Sequence, residues 1–249
     1  MTGITAVIVA AGMGIRMGPL GKMVPKGMLP MGGETLISQS LASLRAFGVP
    51  KIRIVTGHLA DHFQSAHGSD ADVELVHNPA YAVTGSLLSL LTGLKDLSGP
   101  CLVLESDLVY APQALAAALD GETRLLTSGP TRAGDEVYVW TGPGKHLAAI
   151  SKDLSVRPEP PYGELVGITR LSAEAVEALR EVGPRVLARV PDEHYEAGIV
   201  ELGRELPVEV FRIDDLPWAE VDNLSMLERA ERVVYPWIVE ARKEITSPA

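Results

Sequence analysis

Residues Ala6–Pro30 read AVIVAAGMGIRMGPLGKMVPKGMLP. The run begins as a short β-branched apolar strand and breaks into small residues at Ala10 and Ala11. A loop follows that carries Gly12 and Gly14 and the cations Arg16, Lys22 and Lys26 between prolines. Three cations on one glycine-rich loop of a chain with net charge −10 point to a bound anion. Glycines let backbone N–H groups face a phosphate without side chains in the way. Arginine forks onto phosphate oxygens, and lysine supplies a point charge.

Two familiar phosphate loops do not fit. A dinucleotide fingerprint needs a helix straight after the glycines and an acid at the end of the second strand. Pro19, Pro25 and Pro30 interrupt any such helix, and the second strand ends in Thr56-Gly57-His58. The loop ending in Gly-Lys-Ser/Thr is excluded because Met23 follows Gly21-Lys22.

Outward from the loop, strands and helices alternate. TAVIVAA, KIRIVTG, DVELVHN and PCLVLESD read as strands, with TLISQSLASLRAFG, HLADHFQSAHG and SLLSLLTGL as helices between them. That order predicts a Rossmann-like, doubly wound α/β fold. The second half reads as shorter strands (TRLLTSG, EVYVWTG, HLAAISK, PVEVFRI), a proline-rich loop (RPEPPYGE) and a helix after Ser172 closing at Gly183. One long terminal helix follows, disturbed at Pro236. The expectation is a mostly parallel mixed sheet with a small acceptor-side subdomain. Residues 1–249 form one domain, with a nucleotide-binding half at 1–110 and an acceptor-binding half at 111–249.

The composition, 46% hydrophobic and 22% charged over 249 residues, is globular. The acidic balance disfavours nucleic acid, and no apolar run reaches the length of a membrane span. The lone Cys101 excludes an intrachain disulfide and, with no signal-peptide pattern, fits a reducing cytoplasmic setting.

The stretch VIVAAGMGIRM…PKGML resembles the signature of nucleotidyltransferases that activate sugar phosphates and small alcohol phosphates, Leu-Ala-Ala-Gly-x-Gly-x-Arg followed by Pro-Lys. Val9 stands at the leucine. The resemblance implies that Ala10, Ala11, Gly12, Met13, Gly14 and Arg16 wrap a nucleoside triphosphate, and that Lys26 meets phosphate at the reacting centre. It also implies Mg2+ held by Asp107, after the fourth strand, and Asp222, in the late Glu-x-Asp. Strand alternation puts Glu105 and Glu220 on the same faces as these aspartates, in a supporting place.

NPAYAVTGSLLSLL resembles cytidylyltransferases acting on phosphocholine and 2-aminoethylphosphonate. Asn78 and Ser86 then belong to the nucleotide site and Tyr81 to the acceptor site, though Thr84 and Gly85 stand where those relatives carry asparagines. YGELVGITRLS and DEHYEAGIVEL resemble the same group, which places Glu164, His194, Tyr195 and Glu196 near the acceptor. A carboxylate beside an aromatic ring suits a cationic amine. His58 and His62, lacking a third ligand, read as surface residues. The implied reaction couples CTP to a small phosphonate or phosphate. The alternatives are a sugar- or inositol-phosphate nucleotidyltransferase and a non-catalytic nucleotide-binding regulator. A homodimer is left open.

Overall fold

The computed structural model describes residues 3–246. Its elements run β1 (Thr5–Ala10), a hairpin of β2 (Pro30–Met31) and β3 (Glu34–Thr35), α1 (Leu36–Ala46), β4 (Lys51–Thr56), α2 (Ala60–His67), β5 (Val73–His77), α3 (Ser86–Leu94) and β6 (Cys101–Glu105). After them come β7 (Leu108–Tyr110), α4 (Gln113–Leu119), β8 (Arg124–Ser128), β9 (Tyr138–Thr141), β10 (Leu147–Ser151), β11 (Gly163–Leu171), α5 (Ala173–Arg189) and α6 (Tyr195–Leu202). The chain continues through β12 (Glu209–Ile213), β13 (Trp218–Glu220), α7 (Leu224–Arg229) and α8 (Tyr235–Thr246).

β5, β4, β1 and β6 pair in parallel, in that order, as the strand–helix alternation predicts. β1 shows why. Ala6, Ile8 and Ala10 join one apolar cluster, and Val7 and Val9 join the other. A strand buried on both faces reads as one apolar run, and helices must cover both sides. Cys101 is buried in β6.

The second half extends the same sheet. β11 runs antiparallel to β6, then pairs with β8 and β9, and β12 lies parallel to β8. The pairing of β11 with β8 shifts register between Leu165 and Thr169. Gly167, at φ +79°, sits at that irregularity. A Cβ there would lie 2.8 Å from Glu105 Oε1, so the bulge makes room for that carboxylate.

Two helices depart from the expected ends. α5 runs past Gly183 and through Pro184. A Cβ on Gly183 would meet Leu91 at 2.7 Å, so this glycine serves close helix packing and stops nothing. The terminal helix is broken into α7, a π-helical turn at Ala230–Val234, and α8. Pro236 has no N–H to give back to the preceding turn, and a π-bulge absorbs the misfit.

Candidate active site

β7 and β13 form a two-stranded antiparallel ribbon in which Glu220 lies opposite Leu108. Val221 N–H then donates to Asp107 C=O at 2.9 Å. Asp222 is thereby carried to the carboxyl ends of β1 and β6, where an open parallel sheet receives ligands. A cavity of about 420 Å³ opens there. Its lining takes in the glycine loop from Ala10 to Arg16, with Lys26, Tyr81, Ser86, Asp107, Glu164, His194, Tyr195, Glu196 and Asp222. Every sequence-derived site residue except Asn78 faces it.

Lys26 and Asp222, 196 residues apart in sequence, meet at 2.6 Å. Lys26 Nζ also pairs with Asp107 Oδ2. The second oxygen of Asp222 holds an Arg16 guanidinium nitrogen at 2.5 Å, and Arg16 also pairs with Asp135. The cations expected at phosphates thus rest on the carboxylates expected at metal. Burial works against the Lys26 charge, but Asp107 and Asp222 outweigh it and lift its pKa above the ordinary lysine value. Burial likewise opposes ionisation of Asp222, yet Lys26 holds its pKa below the usual carboxylate range.

Glu105 and Glu220 converge with Asp107 at the cavity. One carboxylate oxygen each from Glu105, Asp107 and Glu220 lie within 4.8 Å of one another. Burial first, then the neighbouring carboxylates, pushes both glutamates well above the usual range. Such a set of hard oxygens fits Mg2+, which takes carboxylates and retains water.

The acceptor-side residues divide. Tyr195 is 2% exposed, and its hydroxyl donates to Glu105 at 2.6 Å, so its polar group serves the carboxylate cluster. Its N–H donates to Ser86 Oγ at 3.0 Å. Ser86 therefore docks the 193–195 segment, while Gly85 is the N-cap of α3. Glu164 accepts from Thr131 N–H at 2.8 Å. Burial raises the Glu196 pKa. The Tyr81 ring stands 6.3 Å from His58 and 6.2 Å from His77.

Asn78 requires a correction. It is 1% exposed, donates to Ser89 Oγ at 3.0 Å and accepts from Ala80 N–H at 3.0 Å. Both ends of its amide are used behind the cavity wall, where it shapes the turn before α3. His58 is another. Its Nε2 lies 2.9 Å from Gly21 C=O, pinning the glycine loop. Lys22 is exposed and outside the lining.

Asp135, Lys152 and Arg229 also line the cavity and escaped the sequence reading. Asp135 takes Lys152 at 2.6 Å beside Arg16, and Arg229 donates to Thr131 C=O at 2.7 Å. Asp135 and Lys152 come from irregular segments and Arg229 closes α7, and at each place a single charge looks solvated in sequence.

Residues 6–193 match the profile of the MobA-like NTP transferase domain. The chain belongs to this family. The MobA-like domain is 29% identical over 134 residues to a CMP-5'-(3-aminopropyl)phosphonate synthase of Streptomyces rubellomurinus, covering 52% of the chain and 21% of that protein. A 2-aminoethylphosphonate cytidylyltransferase of Lancefieldella rimae is 32% identical over 109 residues, 43% of the chain and 44% of that protein. The matched regions thus span less than half of these two curated relatives. Among solved structures, CTP:phosphocholine cytidylyltransferase from Streptococcus pneumoniae superposes with a TM-score of 0.74 at 20% identity, covering 92% of this chain and 98% of that one. The inositol-1-phosphate CTP transferase from T. maritima gives 0.77 at 18% identity, covering 96% of each chain. Both share the mixed α/β sheet. Among the described residues no helix is long and apolar enough to cross a membrane.

Proposed function

We propose that this MobA-like domain is a cytidylyltransferase that joins CTP to a small phosphonate or phosphate and releases pyrophosphate. The observation that carries the reading is Lys26 seated between Asp107 and Asp222 in a cavity walled by the glycine loop. An acceptor oxyanion attacks the α-phosphorus in line, and the bond to the pyrophosphate oxygen breaks. The acceptor is already ionised at neutral pH, so no side chain has to take a proton. The main cost is bringing two anions together. Two like charges ~4 Å apart repel by about 1 kcal/mol in water and about 4 kcal/mol at an effective dielectric of 20. Arg16 and Lys26 offset that repulsion, and the glycine loop orients the triphosphate. Asp107, Glu105, Glu220 and Asp222 are the residues that would hold Mg2+, which supplies further neutralisation of phosphate charge.

The acceptor reading favours an aminoalkyl phosphonate. Glu164, Glu196 and the Tyr81 ring line the cavity, and no Asn or Gln does among the described residues. Carboxylates and an aromatic face suit an ammonium group; a polyol would use the Ser and Thr residues that also line the cavity, Thr84, Ser86, Ser89, Ser106 and Thr131, together with side-chain amides. The relatives named for aminopropyl- and aminoethylphosphonate support the same choice. The test crosses four nucleoside triphosphates with phosphonates, phosphocholine, inositol phosphate and sugar phosphates, with and without Mg2+, and reads pyrophosphate. CTP with an aminoalkyl phosphonate is expected to lead. Strict preference for a sugar or inositol phosphate would move the chain to the polyol branch, and binding of CTP without release would make it a regulator.

A further inference from the structure

Each cation lining the cavity is already engaged. Arg16 lies on Asp135 and Asp222, Lys26 on Asp107 and Asp222, Lys152 on Asp135, and Arg229 on a backbone carbonyl. Carboxylates outnumber cations along the wall. A bare polyphosphate therefore meets a quenched, net acidic cavity. Asp222 has a cation on each oxygen, Lys26 on Oδ1 and Arg16 on Oδ2, so any further cation it takes up meets like charge on both sides. Arg16 is more than half exposed, while the Lys26 side chain is 19% exposed.

We propose that Lys26 is a resident stand-in for the divalent cation, its ammonium occupying the seat between Asp107 and Asp222, and that metal entry drives it out toward the phosphates. The geometry carries this. A primary ammonium on a four-carbon stem is the one side chain that mimics a small cation as a point charge and can still withdraw. It touches Asp107, one of the three carboxylates whose oxygens converge within 4.8 Å, and Asp222 on the other side. Metal entering alone strands the Lys26 charge beside a second positive centre. Polyphosphate entering alone must pull Lys26 from two carboxylates. Entering together, each relieves the other, so the two bind with positive coupling. The inference rests on the proposed function only for the anion Lys26 turns to; the exchange itself needs no substrate.

The test titrates Mn2+ into the protein without nucleotide or acceptor and reads free Mn2+ by electron paramagnetic resonance. Lys26→Met and Lys26→Gln are expected to bind Mn2+ tighter than the unaltered protein, on the order of tenfold, within the range of ordinary coupling energies. Equal or weaker binding in folded variants overturns the proposal. Circular dichroism checks folding. If both variants unfold, acetylation of Lys26 in the unaltered protein, followed by mass spectrometry, decides instead. Mg2+ should accelerate it, and an unchanged or slower rate overturns the exchange. Neither readout involves turnover, so a failed pyrophosphate screen and a failed exchange are separate results.

Discussion

Replacing Gly167 by alanine strikes the carboxylate cluster without touching a charged residue. Gly167 lies at φ +79°, a conformation that costs an L-residue about 1–2 kcal/mol. Its new Cβ would fall 2.8 Å from Glu105 Oε1, the same oxygen that accepts the Tyr195 hydroxyl at 2.6 Å. Pushing Glu105 aside strands a buried donor, at about 1–3 kcal/mol. Together the loss is about 2–5 kcal/mol, a large part of the 5–15 kcal/mol typical of a domain. Urea unfolding measures it, and Mn2+ titration of the folded variant reports on the displaced Glu105. Tyr195→Phe isolates the hydrogen-bond share, so the double variant should lose less than the two single losses combined. Stability within ~0.5 kcal/mol of the unaltered protein, with metal affinity unmoved, would refute the view that the bulge makes room for Glu105.

Lys26→Ala should lower turnover by about 10²–10³-fold, the scale of losing one preorganised charge contact, while the protein stays folded by circular dichroism. Unchanged turnover removes that lysine from the chemistry. Asn78→Ala should lose about 1–3 kcal/mol of stability through its broken buried hydrogen bonds, with CTP affinity in calorimetry nearly unaltered; a large affinity loss would return Asn78 to the nucleotide site. Burial and mutual repulsion raise the Glu105 and Glu220 pKa values, so their protonated forms favour the fold. Metal-free stability should then decline as pH rises from the ordinary glutamate range through those raised values. Mg2+ should recover it at the alkaline end, and thermal melts across pH with and without Mg2+ check both signs. Asp222 acts oppositely, its contribution disappearing only in acid as pH drops through its lowered value.

The parallel half of the sheet was legible because strands buried on both faces leave unbroken apolar runs such as Ala6–Ala10. The glycine loop was legible because its cations are close in sequence. Asp107 and Asp222 were legible by position, at the carboxyl end of the fourth strand and at a strand-to-helix junction, with the resemblance in support, but their meeting depends on a ribbon of two three-residue strands that no periodicity announces. β11 was read only as a family segment, because Gly163, Gly167 and a register shift break its alternation. α4 was not read because QALAAAL has almost no polar face to mark a helical period, and α6 lies in DEHYEAGIVEL, which was taken only by resemblance. Asn78 misled because a buried turn amide and a ligand amide look alike in sequence. Asp135 stayed hidden because its partners, Arg16 and Lys152, come from distant loops.

The ribbon of β7 and β13 also bears on how such proteins can be recombined. The two aspartates are held in register by backbone pairing of six residues, not by the strands and helices between them. A chimera with junctions just after Tyr110 and just before Trp218 would keep Asp107, Asp222 and the glycine loop from one parent. It would import the intervening segment, with the cavity-lining Glu164, His194 and Glu196, from another. The segment between the ribbon strands is thus open to exchange as a cassette, on condition that the incoming sheet strands still pair with β6.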